Sequence, residues 1–520
     1  MQVRRSNPWK SISPVSLAAM RTSAIRLPTQ WKVESMNFPQ FTISTNDRSA
    51  AMEGAEPFSS QNVSTPTRLH FYKRIRMLAL LGVCVAPLMS YAQTQAYADY
   101  PQTRGGVEQW KQEDFPSWLS LDGQIRLRTE QQTSYQYISG NDRIYELTRV
   151  YGGLTVRPTS YLTTYTQFID THALGLPVGH IASNMRDVFD LRQGYLEFHH
   201  NNIQLYAGRR ELKYGDERVV GISDFTNNSR TWDGFFGHFG DGTDKNNVDV
   251  FSTSVVTVHP TSLDTHGAGL TFHGVYGTLG SWIPNTVLQP FVLVKAFPRV
   301  RSQQGIYGSE VETTFGAEAE GRLPAGFDYD ILGDLQRGSY SNDSIHAGAG
   351  IVKVAHLFDS LPWKPRLGGE YDYATGNPHQ NPNRISTYDQ QYPSDHNAFG
   401  LFDLFGFQNI KEQRVNLDLR PTKNLSLLFQ GEAIGVSSRF DSVYNTGAGV
   451  VVKPPSHGFA TNRIGDGFDA SAKYVFHHYW VVNAGVGHFF PGSLMSANDH
   501  GAPLTYAYFG ITYRFRVGKR

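Results

Sequence analysis

The feature that most restricts this chain is an alternation of apolar and polar side chains that begins at residue 118 and recurs for about four hundred residues. Leu119, Leu121, Gly123, Ile125 and Leu127 fall on one side of an extended strand, and Ser120, Asp122, Gln124, Arg126 and Arg128 on the other. The same period returns at 310–322, 327–336, 414–420 and 504–515. Less regular segments at 145–157, 160–170, 188–199, 203–212, 230–238, 248–257, 268–276, 286–297, 343–355, 364–373, 423–434, 467–475 and 478–489 bring the expected count to about 18 strands. No stretch sustains a helical period.

The connections alternate in length. Arg157-Pro158-Thr159-Ser160, Leu323-Pro324-Ala325-Gly326 and Arg420-Pro421-Thr422-Lys423 read as tight turns, whereas 171–187, 213–229, 374–409 and 435–466 are long and polar. Tight turns at one rim and long loops at the other, with one apolar and one wet face per strand, predict an all-β fold. It is a single closed antiparallel transmembrane β-barrel with short periplasmic turns and long extracellular loops. Closure follows from the solvent, because hydrocarbon cannot satisfy a free strand edge. Eighteen strands enclose a lumen too wide for side chains alone to fill. Aromatics at strand ends (Tyr145, Tyr161, Tyr474, Trp480, Phe489 and Phe515) suit interfacial girdles. A soluble β-propeller or β-helix is the rival, but no repeat motif is visible.

Composition agrees. Gly is abundant (50), aromatics reach 13% and only 18% of residues are charged. A mean hydropathy of −0.38 is compatible with a barrel, since only alternate strand residues face lipid. A net charge of +1 gives the whole chain no attraction to nucleic acid.

The only long apolar run lies at 77–89, behind Lys73-Arg74-Ile75-Arg76 and ahead of Ser90-Tyr91-Ala92. This reads as a signal peptide at 68–92, cleaved near Ala92; the run is too short for a membrane span and Pro87 interrupts it. Residues 1–67 read as a spurious or disordered extension, 93–117 as a disordered lead-in, and 118–516 as the barrel. Cleavage removes Cys84, the only cysteine, and with it any disulfide or Cys-based metal site. Export through a signal peptide and a closed barrel point to the outer membrane of a Gram-negative-type bacterium. The expected partners are the lipid bilayer and the outer-membrane assembly machinery.

Candidate chemistry resides on the polar faces. Arg126, Arg128, Arg192, Arg209, Arg210, Arg366, Arg414 and Arg514 stand in or at the ends of strands, with Glu318, Glu320, Asp330, Glu370 and Asp372 among the expected lumen acids. A ladder of arginines would select anions by charge and bidentate hydrogen bonding. The alternative is that each arginine pairs with an acid and stiffens the wall. The carboxylates could suggest a glycosidase, but alternate polar residues are obligatory on a wet lumen. HExxH, GxSxG, P-loop and dinucleotide motifs are missing, and the 18 His show no zinc spacing, so no catalytic residue, cofactor or metal is assigned.

Several segments carry a resemblance. Leu191-Arg192-Gln193-Gly194-Tyr195-Leu196-Glu197-Phe198 is followed by Gly208-Arg209-Arg210-Glu211-Leu212, Tyr214-Gly215-Asp216-Glu217-Arg218 and Arg230-Thr231-Trp232-Asp233-Gly234. Further on stand Gly369-Glu370-Tyr371-Asp372-Tyr373-Ala374-Thr375-Gly376-Asn377 and Thr387-Tyr388-Asp389-Gln390-Gln391-Tyr392-Pro393. Their order resembles the alginate export family of outer-membrane porins over about residues 118–515. The resemblance implies an 18-stranded monomeric barrel that passes an anionic uronate polymer through an electropositive, loop-gated constriction. Carried over by motif, Arg192, Arg209 and Arg210 become its charged wall. The expected function is passive export or diffusion of a polysaccharide or oligosaccharide, preferably anionic. The alternatives are a general small-solute porin on the same barrel and, behind it, a barrel enzyme.

Overall fold

The computed structural model describes residues 108–110 and 115–518, apart from residues 244, 380–382, 402 and 478. The leader, the extension before it and most of the lead-in fall outside the described residues.

Alternation along the chain becomes eighteen long strands. They are β1 (Leu119–Thr133), β2 (Arg143–Val156), β3 (Leu162–Leu174), β4 (Asp187–His200), β5 (Ile203–Arg210) and β6 (Trp232–Gly240). Next come β7 (Asn246–Thr257), β8 (Thr271–Ile283), β9 (Thr286–Arg301), β10 (Tyr307–Arg322), β11 (Phe327–Tyr340) and β12 (Asp343–Leu357). The wall ends with β13 (Arg366–Ala374), β14 (Ile410–Thr422), β15 (Leu425–Val436), β16 (Arg463–Phe476), β17 (Trp480–Pro491) and β18 (Leu504–Gly518). Each neighbour in this order pairs antiparallel with the next. β18 then pairs antiparallel with β1, from Ser120 opposite Gly518 to Thr133 opposite Thr505, and leaves the long strands no free edge. Every segment picked out by alternation overlaps one of these strands.

The wall is inside-out relative to a soluble protein. Ile125 and Leu127 are 47% and 51% exposed on the outside, while Arg126 and Arg128 are buried inside. Phe315, Ile331, Leu335, Val415 and Phe509 continue the outward apolar surface around the barrel. Apolar area on this scale is costly in water and is stable against hydrocarbon. At the rim of tight turns Phe476 stacks on Trp480 at 5.9 Å and Trp480 lies 4.7 Å from Tyr513, an aromatic belt. Two residues expected in such girdles turn inward instead: Tyr145 and Phe489 are buried in the lumen. Alternation fixes a residue's side only if its register is known, and the aromatic character of these two misled.

Both ends of the closed wall lie at the rim of short connections. The opposite rim carries the longer ones, 211–231, 258–270, 375–409 and 437–462 among them. Two of these fold into the lumen. Loops 211–231 and 375–409 bring Val220, Ile222, Tyr388, Phe399 and Phe407 to one buried apolar cluster with Trp232, Phe272 and Phe489 from the wall. Each such side chain contributes roughly 1.5–3 kcal/mol by burial. The loops also share backbone bonds: Gly221 N donates to Tyr392 O at 2.7 Å, Tyr392 N to Val219 O at 3.0 Å and Ser394 N to Glu217 O at 2.8 Å.

The lead-in, expected to lack structure, contains one short strand. Glu108–Trp110 pairs in parallel with Phe515 to Val517. The wall therefore continues beyond Phe515 to Gly518, with Arg516 opposite Asp122.

Candidate functional site

Lumenal charge is segregated around the wall. Arg126 and Arg128 on β1, Arg149 on β2, Lys473 on β16 and Arg514 on β18 line one cavity of about 470 Å³, together with only three carboxylates, Asp224, Glu217 and Asp418. The acids cluster on β10 to β15: Glu312, Glu318, Asp334, Glu370, Asp372, Glu412 and Glu432 are all buried there.

Loop 211–231 carries the opposite charge to each wall it meets. Toward the acidic wall it sends Arg218, whose guanidinium bonds Asp372 at 3.1 Å and also contacts Glu370. Asp216 beside it contacts Lys353, which holds Asp330 at 2.7 Å. Burial alone would raise the Asp216 carboxyl, but Lys353 and Arg218 outweigh it and hold it below its ordinary value. Gly215 permits this approach: its φ is +54°, and a Cβ there would collide with the Glu318 carboxylate, which accepts the Asp216 N–H at 3.2 Å.

Toward the basic wall the loop sends Asp224. Arg149 holds its carboxylate at 3.0 Å and Arg514 lies at 3.9 Å. Arg126 donates to Asp224 O at 2.9 Å and Thr226 O at 2.7 Å, and Arg128 to Phe225 O at 2.5 Å. Partial burial would raise the Asp224 carboxyl; Arg149, Arg126 and Arg514 together keep it well below the usual carboxylate range.

Phe225 follows Asp224 and divides the lumen. The Arg128 guanidinium lies over its ring at 3.9 Å, and the His396 ring from the other inward loop stacks on it. Arg128 and Phe225 line both the 470 Å³ cavity, on the short-turn side, and a second of about 570 Å³ that reaches Gln132, Asn445 and His500 near the long-loop rim. The two vestibules meet at this pair.

The arginines expected from sequence take different places. Arg126, Arg128 and Arg514 line the cationic vestibule. Arg366 and Arg414 are wall braces: Arg366 bonds Asp328 at 2.6 Å and Asp418 at 3.1 Å, and Arg414 lies among Glu370, Glu412 and Glu432. Arg192 is a clamp on the inward loop, contacting Glu211 and donating to Ser229 Oγ from Nε at 2.9 Å. Arg210 stacks on Tyr206 at 3.9 Å. Arg209 corrects the expectation. Neighbouring strand residues point to opposite faces, and Arg209 shares its side with the exposed Leu205 and, across the ladder, Asp233 and Phe235. It bonds Asp233 at 2.7 Å and does not join the lumen wall.

Of the expected acids, Glu318, Asp330, Glu370 and Asp372 meet the loop or its lysine partner, as described, and Glu320 stands opposite Asp330 in the ladder. Arg149, Lys473, Asp224 and Arg218 were not singled out from sequence. Lys473 was within reach, since Asp469, Ser471 and Lys473 alternate with Phe468, Ala470, Ala472 and Tyr474. Arg149 was hidden because its inward neighbours Leu147 and Tyr151 are apolar-bodied.

A closed eighteen-stranded wall with an apolar exterior and a charged lumen narrowed by inward loops defines an outer-membrane channel of the porin type. Residues 117–506 match the family described as Alginate export, and the chain belongs to that family. Solved structures agree on the fold. Acinetobacter baumannii OccAB2 superposes with a TM-score of 0.54 at 9% identity, over 77% of this chain and 100% of that one. Pseudomonas aeruginosa OpdO gives 0.53 at 11% identity, over 76% and 97%. Pseudomonas aeruginosa OccK11 (OpdR) gives 0.50 at 11% identity, over 79% and 98%. Among curated proteins there is no match.

Proposed function

We propose that the barrel passes an anionic polysaccharide or oligosaccharide of the uronate type by diffusion, along the wall formed by β18, β1 and β2. The observation that carries this reading is the vestibule with five cationic side chains against three carboxylates. Of the other lumen acids, Glu130 pairs with Arg128 at 2.6 Å, which leaves Arg126, Arg149, Lys473 and Arg514 to carry the excess; Asp328, Asp330, Glu370 and Asp372 are turned toward Arg366, Lys353, Arg414 and Arg218. Guanidinium groups in such a series hand a carboxylated chain from one bidentate contact to the next. Loop 211–231, held by Asp224, occupies the same cations and must yield to the solute. In this reading the channel works as a single chain without cofactor or chemistry of its own.

A small-solute porin is the second reading. A 470 Å³ vestibule has the size of a pocket for a small ligand, and the Arg128–Phe225 pair narrows the passage beyond it. Flux from liposomes separates the two. The first reading expects oligouronates to pass faster than neutral oligosaccharides of equal length. Passage of monomers alone would favour the second, and faster flux of neutral sugars would overturn the first.

A further inference from the structure

We propose that the long-loop rim carries a calcium site formed by Asp187, Asp190 and Asp264. Each offers a carboxylate oxygen, and these oxygens all lie within 4.8 Å of one another. Asp187 opens β4, Asp190 lies three residues on, and Asp264 belongs to the connection 258–270.

A group of acids alone is no site; Asp187 supplies the independent reason. It is only 2% exposed, and its Oδ1 accepts no hydrogen bond. A buried carboxylate oxygen without a donor needs a cation or a proton. Its neighbours are better served. Asp190 accepts the Leu191 and Asp264 backbone N–H groups, both at 2.5 Å, and Asp264 Oδ1 accepts His259 N–H at 2.7 Å. Arg209 stands beside the group, but its guanidinium is committed to both oxygens of Asp233, at 2.7 and 3.0 Å, and to the carbonyls of Leu191 and Asp264.

The comparison within the molecule is direct. Two further three-acid groups occur among the described residues, Asp216–Glu318–Asp330 and Glu310–Glu312–Asp389. Each contains its own ammonium: Lys353 in the first and Lys295 in the second. No lysine pairs with the Asp187 group among the described residues.

The donors select the ion. All are hard oxygens, which excludes a preference for zinc or copper. Calcium binds oxygen at about 2.3–2.6 Å in flexible geometry, so two of its ligands lie at most about 5 Å apart. Magnesium demands about 2.0–2.1 Å and a near-ideal octahedron, a span of at most about 4.2 Å. The oxygens lie within 4.8 Å of one another, inside the span of calcium, and magnesium gives up its waters too reluctantly to suit a buried carboxylate. Bound there, calcium ties the connection 258–270 to β4 at the mouth of the channel.

The test uses the full mature chain, refolded in detergent after chelation, with terbium luminescence as the probe. Calcium displaces terbium with an apparent dissociation constant on the order of 10⁻⁴–10⁻³ M, as in extracellular calcium modules, and magnesium does so at least tenfold less well. Asp187→Asn and Asp264→Asn each weaken binding at least tenfold, and Glu310→Gln leaves it unchanged. Heat-modifiable gel mobility confirms that the variants are folded; if Asp187→Asn does not fold, Asp264→Asn in the connection decides. Absence of a calcium-displaceable signal, equal displacement by magnesium, or wild-type binding in Asp264→Asn would overturn the proposal.

Discussion

The Asp224 carboxylate lies 3.0 Å from the Arg149 guanidinium and so fastens the tip of an inward loop to the cationic wall of the barrel. The same loop fastens Arg218 to Asp372 at 3.1 Å on the acidic wall. One segment thus satisfies both halves of a divided lumen, and the charges a solute would meet are those that hold the loop. The expected consequences concern the strength of each attachment.

Asp224→Asn removes the countercharge that Arg149, Arg126 and Arg514 share. Single-channel conductance and anion preference should both rise, because the vestibule then holds one negative charge fewer against the same cations. Planar-bilayer recordings check this; unchanged conductance and selectivity would mean that the loop is held by its backbone bonds alone.

The Asp224 carboxyl lies below the usual carboxylate range, so its anchoring is complete above the ordinary Asp value of about 4 and is lost only as pH falls through the lower folded-state value. Conductance attributable to loop release should therefore be absent between pH 7 and about pH 4. A release near pH 6 would contradict the assignment.

Arg218→Met should destabilise the barrel. It leaves Glu370 and Asp372, both buried, without their shared guanidinium. Removing one partner of a buried ion pair costs about 3–5 kcal/mol. The temperature at which gel mobility shifts should fall. Arg210→Met, which loses a stacked cation but no ion pair, should shift it far less.

Phe225→Ala removes the ring that separates the two vestibules. Conductance should increase while selectivity is retained, since the cationic side chains stay in place. Loss of selectivity together with larger conductance would show that the ring orders Arg128 as well as blocking the passage.

The barrel was legible in the sequence because lipid on one side and water on the other force a period of two, and each strand carries that signature by itself. The strand count, the pairing order and the sides of Arg126, Arg128 and Arg514 follow from that local rule. Arg209 and Arg210 show its limit: adjacent residues cannot share a face, and a basic pair in a motif conceals which one points inward. The loop contacts were not legible. Asp224 meets Arg149 across 75 residues of chain and Arg218 meets Asp372 across 154, and no periodicity relates such positions. Those contacts depend on which loops fold into the lumen, and the buried Val219, Val220 and Ile222 are the only local sign of it.

The reversal potential of the purified channel in a salt gradient tests the central claim most directly. Anion selectivity is expected, reduced in Arg149→Ala and Arg514→Ala and unaffected in Lys295→Gln, whose partners Glu310 and Asp389 lie outside the vestibule. Cation selectivity in the wild type, or anion selectivity indifferent to Arg149 and Arg514, would contradict it.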